Sequence, residues 1–124
     1  TTVDGESLLN NPSILSKLVE AEIAIEVGGL LGYEVITKLD KGLDVSADAA
    51  MVKVYASELK ADVAGLAMQI AGAAGQLNRQ DQQAPYDGFA EHQFRIAPFY
   101  RFGGGTNEVQ RNIIAQRGLN LPKR

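Results

Sequence analysis

Apolar residues recur at three- and four-residue intervals in the N-terminal part of the chain, and this spacing predicts a helix over residues 13–39. The pattern is formed by Ile14, Leu15, Leu18, Ile23, Ile25, Leu30, Val35 and Ile36. Asn11 and Ser13 are both candidate N-cap residues, because either side chain can accept a hydrogen bond from the first turn. Gly42 is suited to the C′ position that ends the helix. Each interior glycine costs about 1 kcal/mol relative to alanine, so Gly28 and Gly29 predict close helix packing or close approach of a ligand.

A second apolar stripe predicts a helix that begins at Ser46 and ends in the small-residue segment 71–75. The stripe consists of Val52, Tyr55, Leu59, Val63, Leu66 and Ile70. Asp48 lies in the first turn, where a negative charge interacts favourably with the helix dipole. The following segment, residues 76–86, is polar, rich in glutamine and contains a proline, and it therefore predicts a loop.

The last part of the chain predicts two shorter helices separated by a glycine turn. The first spans about residues 87–101, and Pro98 bends or breaks it near its end. Gly103 to Gly105 predict the turn, and Thr106 caps a final helix that runs to about Arg117. Because no strand-like alternation and no internal repeat is found, the sequence predicts an all-α fold, an up-down four-helix bundle forming one domain over residues 1–124.

Composition narrows the classes of function. The chain has 124 residues, of which 45% are hydrophobic and 22% charged, values typical of a globular domain. The absence of cysteine excludes disulfides, zinc–thiolate sites, iron–sulfur clusters and thiol catalysis. With His92 as its one histidine, the chain alone cannot form a multi-histidine metal site. The net charge of −3 argues against a nucleic-acid-binding protein.

No apolar run approaches the ~20 residues that a membrane span needs, and the first residues lack the pattern of a secretory signal. We therefore expect a cytoplasmic protein with no membrane partner. The chain begins with Thr1 rather than methionine, so we expect that it has been processed or is a piece of a longer polypeptide.

Two local patterns suggest chemistry. A glycine turn that leads into a helix, as at residues 103–106, can bind an anion such as a phosphate, although such turns are more often plain connections. Glu22 and Glu26 lie four residues apart on one helical face and could include a general base. The alternative is a solvated acidic face that also includes Glu20.

Other polar and aromatic residues have structural explanations. Three arginines near the glycine turn could bind phosphates or could form surface salt bridges: Arg95, Arg101 and Arg111. His92 is expected to be structural or exposed. Five aromatic residues at helical spacing favour a core role over a stacking surface: Phe89, Phe94, Phe99, Tyr100 and Phe102.

Three segments resemble the C-terminal helical domain of acyl-CoA dehydrogenases. Residues 102–122, FGGGTNEVQRNIIAQRGLNLP, are similar to the end of that family's chain, with more than a dozen positions matching in order and without a gap. Residues 69–75, QIAGAAG, resemble its Gln-Ile/Leu-x-Gly-Gly-x-Gly segment, and residues 21–32 resemble the first helix of its C-terminal domain. The resemblance extends over nearly the whole chain but leaves out the family's N-terminal helical domain and middle β-domain.

The resemblance implies an FAD-dependent enzyme of fatty acid metabolism that forms a 2,3-double bond in an acyl-CoA. It implies transfer of electrons to an electron-transfer flavoprotein or a similar acceptor, and assembly into a homo- or hetero-oligomer. Thr106 and Glu108 match positions that contact the cofactor. Gln69, Gly72 and Ala73 match the segment that holds the adenine half of FAD from a partner subunit.

Two departures from the family pattern concern catalysis. The usual catalytic Glu position in the glycine turn is here Gly104, which cannot act as a base. Some members carry the base on the first helix of this domain, and the resemblance places Glu22 there, with Glu26 one turn on. The family's Arg-x-x-Phe-Gly segment is absent, and residues 39–44 stand in its place. These departures leave an alternative, a non-catalytic assembly subunit of a heteromeric acyl-CoA dehydrogenase. In either case the isolated chain is expected to be inactive.

Overall fold

A computed structural model describes residues 2–3 and 6–123, and it confirms the all-α prediction. The helices are α1 (Pro12–Asp40), α2 (Ser46–Ala71), α3 (Phe89–Tyr100) and α4 (Asn107–Ile113). Short 3-10 helices occupy Leu8–Asn10, Gly72–Gln76 and Pro85–Gly88, and a π-helical turn covers Ile114–Gly118. The predicted loop after α2 thus contains helical turns at both ends, and the predicted last helix is divided into an α and a π segment.

Two short strands near the N-terminus were not predicted. Strand β1 (Thr2–Val3) pairs antiparallel with β2 (Glu6–Ser7), so that Thr2 lies opposite Ser7 and Val3 lies opposite Glu6. Strands of two residues are too short to produce a recognisable alternation of apolar and polar positions. They leave the fold class unchanged.

Helix α1 has well-defined caps at both ends. The Asn11 side chain accepts hydrogen bonds from the N–H groups of Ser13 (3.0 Å) and Ile14 (3.4 Å), so Asn11, and not Ser13, is the N-cap. At the other end Gly42 has a φ of +71°. The N–H of Leu43 donates to the carbonyl of Lys38 at 3.0 Å, as in a Schellman motif.

Helix α2 is the central element, because each of the other three helices packs against it. The buried apolar side chains of the described residues are small and lie on α2 and α3: Ala50, Ala64, Ala90 and Ala97. Small side chains allow the helix axes to approach closely. The core assignment was therefore wrong for four of the five aromatic residues in and just after α3, since alanines occupy the inward positions of the helix. Phe89, Phe94, Phe99 and Phe102 are exposed, and Tyr100 is half-buried.

Close helix packing explains one of the two interior glycines of α1. A Cβ atom at Gly28 would lie 3.3 Å from Cε1 of Tyr55, whereas one at Gly29 would meet nothing within 4 Å. The Tyr55 hydroxyl donates to the carbonyl of Ala24 at 2.9 Å, which fixes the ring against α1. No residue of α1 is buried in this structure.

The connection into α3 depends on glycine. Tyr86, Asp87 and Gly88 all have positive φ values, and Gly88 is buried. A Cβ atom at Gly88 would lie 2.6 Å from the backbone nitrogen of Arg79, so no other residue fits without movement. Pro98 does not break α3, which continues to Tyr100. In the part of the chain that the structure describes, no helix has the length and apolar character needed to cross a membrane.

Candidate functional site

The backbone of the glycine turn between α3 and α4 is closed by a hydrogen bond between its two ends, and its conformation requires glycine. Gly104 and Gly105 have φ values of +70° and +94°, which side-chain-bearing residues rarely adopt. The N–H of Asn107 donates to the carbonyl of Arg101 at 3.0 Å, and the Gln110 side chain donates to the carbonyl of Gly104 at 2.9 Å. A Cβ atom at Gly104 would meet nothing within 4 Å, so the outer side of the turn is open.

Thr106 and Glu108 lie together where this turn enters α4. The Thr106 hydroxyl oxygen accepts a hydrogen bond from the N–H of Val109 at 3.3 Å, which confirms Thr106 as the N-cap. The backbone N–H of Glu108 and the hydroxyl of Thr106 lower the pKa of the Glu108 carboxyl. Because a carboxylate already interacts with the N-terminus of α4, a second anion such as a phosphate is disfavoured there.

Beneath the turn, a polar network joins α4 to α2. Asn107 and Ser57 are buried, with 2% and 6% of their surfaces exposed. The side-chain oxygen of Asn107 accepts hydrogen bonds from the Lys53 ammonium (2.7 Å) and the Ser57 hydroxyl (3.1 Å). Its amide nitrogen lies 3.4 Å from the Glu58 carboxylate, which also forms an ion pair with Arg111. The network fixes the first residue of α4 on α2.

This network was not predicted from the sequence. One signal was available, because Ala50, Ser57 and Ala64 recur every seven residues and mark the small-residue face of α2. Asn107, the hydrogen-bond partner of Ser57, lies 50 residues beyond it in the chain. Periodicity within α2 gives no information on a contact of that sequence separation.

The second predicted cofactor-binding segment lies at the far end of α2. Gln69, Gly72 and Ala73 are exposed, and the side-chain oxygen of Gln69 accepts a hydrogen bond from Lys17 at 2.8 Å. Gly72 has a φ of +59°, and a Cβ atom there would meet nothing within 4 Å. At a rise of about 1.5 Å per residue, Gln69 is roughly 18 Å along α2 from Ser57. The two predicted segments are therefore well separated within this chain.

The predicted base and its neighbour lie in a third place. Glu22 and Glu26 are exposed and line a cleft of about 440 Å³ between α1 and α2. Its apolar lining consists of Leu18, Ala21, Ile25, Val63, Leu66, Ala67 and Ile70. Neither the glycine turn nor Gln69 lines this cleft, so the described residues do not bring Glu22 together with Thr106.

The arginines near the turn are mostly in ion pairs. Arg95 pairs with Glu91 at 2.6 Å, and Arg111 pairs with Glu58, as the salt-bridge interpretation expected. Arg101 contributes its backbone carbonyl to the turn. His92 is half-buried, with Nδ1 3.4 Å from the Arg95 guanidinium.

Comparison with known proteins identifies the domain. The family described as "Acyl-CoA dehydrogenase, C-terminal domain" matches residues 1–119. Acyl-CoA dehydrogenase FadE26 of Mycobacterium tuberculosis is 32% identical over 122 residues, which are 96% of this chain and 30% of the relative. The ChsE4-ChsE5 complex from M. tuberculosis contains a chain with a TM-score of 0.87 and 31% identity, matched over 100% of this chain and 32% of that one.

A further solved structure, the Tcur3481-Tcur3483 steroid ACAD, has a TM-score of 0.87 and 30% identity, covering 94% of this chain and 30% of that one. The chain thus spans about a third of the length of the proteins to which it is similar. The match to the family, however, includes all four helices and the glycine turn. The chain belongs to the acyl-CoA dehydrogenase family, as its C-terminal domain.

Proposed function

We propose that this chain is the C-terminal domain of an FAD-dependent acyl-CoA dehydrogenase that forms a 2,3-double bond in an acyl-CoA thioester. The observation that carries the proposal is the glycine turn, which has an open outer side. It is followed by Thr106, the N-cap of α4, and by Glu108 in the first turn of that helix. The family match over residues 1–119 supports it. The protein would act in the cytoplasm, in fatty acid metabolism, and would pass electrons to an electron-transfer flavoprotein or a similar acceptor.

The residues at both predicted cofactor segments are compatible with FAD. Gly104 and Gly72 leave open space where a side chain would otherwise block a ligand. Thr106 and Glu108 would contact the flavin half, while Gln69, Gly72 and Ala73 would hold the adenine half of a partner subunit's cofactor. Their separation along α2 agrees with the use of two different cofactor molecules. When bound, FAD supplies the acceptor for the hydride that leaves the β-carbon.

Within this chain, we propose Glu22 as the base that removes the α-proton. Its carboxylate is exposed at an apolar cleft, which offers a surface for an acyl chain beside a proton acceptor. Hydrogen bonds to the thioester carbonyl would favour loss of that proton by stabilising the negative charge that develops on oxygen. The reaction also requires the acyl chain to be aligned with both the base and the cofactor, which is an orientation effect.

The test uses the complete natural protein that contains this domain. Anaerobic addition of a panel of acyl-CoAs, with linear, branched and steroid side-chain thioesters, should bleach the flavin absorbance. Glu22→Gln should slow bleaching by a factor of about 10²–10⁴, the usual contribution of a general base. The matched control is Glu26→Gln, one helical turn away in the same cleft, which should bleach at nearly the original rate. Normal bleaching by Glu22→Gln would exclude Glu22 as the base.

The alternative is a non-catalytic assembly subunit of a heteromeric acyl-CoA dehydrogenase. Gly104 favours it, because the turn position that carries the base in most of the family has no side chain here. Two similar solved structures also pair two differently named proteins, ChsE4 with ChsE5 and, in a steroid ACAD, Tcur3481 with Tcur3483. If the protein alone shows no flavin bleaching, but gains it when co-expressed with a paralogous subunit, this alternative is correct.

A further inference from the structure

The backbone carbonyl of Arg101 is the point at which the glycine turn is closed. It accepts a hydrogen bond from the N–H of Asn107 at 3.0 Å, which joins the two ends of the turn. The same carbonyl accepts a second hydrogen bond from the ammonium of Lys53 at 3.1 Å. Lys53 belongs to α2, so this contact ties the closed turn to the central helix of the fold.

The same ammonium also holds the first residue of α4. Its nitrogen lies 2.7 Å from the side-chain oxygen of Asn107, which is 2% exposed. Because an ammonium only donates hydrogen bonds, it fixes the orientation of the Asn107 amide, with the oxygen facing Lys53. The Ser57 hydroxyl donates to the same oxygen at 3.1 Å. Lys53 thus donates hydrogen bonds to Arg101 and Asn107, the residues on either side of the glycine turn.

We propose that Lys53 is a positioning residue that holds the glycine turn, and with it Thr106 and Glu108, in the geometry required for cofactor contact. The part that concerns the cofactor rests on the proposed function. The part that concerns the turn rests on the two hydrogen bonds of Lys53 alone. Charge-assisted hydrogen bonds are roughly twice as strong as neutral ones, and glycines are conformationally free, so we expect the loss of both Lys53 contacts to loosen a turn of three consecutive glycines.

Lys60 provides a matched control. It lies seven residues beyond Lys53 on α2, and both lysines line one small cleft together with Ser57, Tyr100 and Gly103. The Lys60 ammonium, however, lies over the Tyr100 ring, 3.6 Å from its centroid. Lys60→Met therefore removes a positive charge from the same cleft and leaves both hydrogen bonds of Lys53 to the turn in place.

The first experiment measures exchange of the Gly103 and Asn107 amide hydrogens, which donate to the carbonyls of Phe99 and Arg101, in the complete natural protein after removal of flavin. Lys53→Met should raise exchange there by about tenfold or more, as expected for loss of a hydrogen bond to a charged group. Lys60→Met should change it less than about twofold, and Lys53→Arg should restore much of the protection. An unchanged turn in Lys53→Met, or an equal increase throughout all four helices, overturns the proposal.

The second experiment measures the dissociation constant for FAD in the same variants. Lys53→Met should weaken binding by about tenfold, and Lys53→Arg should recover part of the loss, while Lys60→Met should bind normally. Faster exchange in the turn with unchanged FAD affinity would overturn the positioning role for the cofactor. If the original protein binds no FAD, the proposed function fails, and the exchange experiment by itself decides the role of Lys53.

Discussion

The two long faces of α2 are joined to their neighbours in different ways. On the α4 side, buried Ser57 and Asn107 and the charged Lys53 form a hydrogen-bonded network with fixed directions. On the α1 side, the middle of the contact depends on half-buried apolar residues, the close approach at Gly28 and the hydrogen bond of Tyr55 to a backbone carbonyl. Polar side-chain contacts between α1 and α2 lie near the helix ends, where Lys17 meets Gln69 and Lys38 meets Asp48. We call these the α2–α4 seam and the α1–α2 interface.

The difference separates two physical tasks. Hydrogen bonds are directional, so the α2–α4 seam determines where the glycine turn and Thr106 lie. Apolar contact is not directional, and in the middle of the α1–α2 interface it holds the two helices together with the hydrogen bond of Tyr55. Helix α1 also exposes many large apolar side chains in this chain: Leu15, Val19, Ile23, Ile25, Val27, Leu30, Tyr33, Ile36 and Leu39. The buried, directional hydrogen bonds that fix side-chain positions are thus found at the end of the bundle that contains the glycine turn and Thr106.

The largest expected effect comes from breaking the α2–α4 seam at its centre. Asn107→Leu keeps a similar side-chain volume but removes the acceptor shared by Lys53 and Ser57. Both donors keep a backbone carbonyl as a partner, Arg101 for Lys53 and Val54 for Ser57, but α4 loses its buried hydrogen bonds to α2. This loss, which includes a hydrogen bond to a charged group, should lower the opening free energy of α4 by about 2–4 kcal/mol. Native-state amide hydrogen exchange of α4 in the natural protein measures this quantity.

The control for that prediction is Asn112→Leu, an exposed asparagine in the same helix. It should change the opening free energy of α4 by no more than about 0.5 kcal/mol. Equal effects of the two variants would show that the polar network contributes no special stability, and the contrast between the two sides of α2 would then be lost.

A smaller effect is expected from substituting the two glycines of α1. Gly29→Ala should stabilise α1 by up to about 1 kcal/mol, because alanine has the higher helix propensity and its Cβ meets open space. Gly28→Ala should lose this gain, because its Cβ forces the Tyr55 ring to move and strains the hydrogen bond to Ala24. The difference between the variants should be about 1–2 kcal/mol, measured as the opening free energy of α1 by hydrogen exchange.

Tyr55→Phe tests whether the Tyr55 ring is the obstacle to a side chain at Gly28. Without the hydroxyl the ring is free to shift, so adding Gly28→Ala to Tyr55→Phe should cost less than Gly28→Ala does alone. If the two substitutions have purely additive effects, the ring is not the obstacle, and close packing at Gly28 has another cause.

Local signals predicted most of the fold. Asn11, Gly42 and Thr106 mark helix ends through their own side chains or backbone, and Asn11 was one of two candidates that the sequence left open. The aromatic residues of α3 were misassigned, because helical spacing does not reveal which face of the helix packs against α2. The seam could not be predicted either, since Lys53 and Asn107 are 54 residues apart in the chain. The roles of Glu22, Gln69 and Thr106 were expected from the family resemblance, and they stay predictions.

The smallest expected effect is a difference in pH dependence between the α1–α2 interface and the start of α4. At the interface, the Lys38 ammonium contacts Asp48 at 2.7 Å and Glu34 at 2.8 Å, and these hydrogen bonds raise the pKa of Lys38. A raised pKa means stabilisation that is fully present below the unfolded-state value of about 10.4 and is lost as the pH rises through the folded-state value. At the start of α4 the pKa of Glu108 is lowered, so its stabilisation is present above about pH 4.3 and is lost as the pH falls through the folded-state value.

Alkaline pH should therefore loosen the end of α1, and acid pH the start of α4, in thermal unfolding monitored by residue-specific NMR. Lys38→Met should abolish the first dependence and Glu108→Gln the second; if either variant retains its dependence, another group is responsible for it.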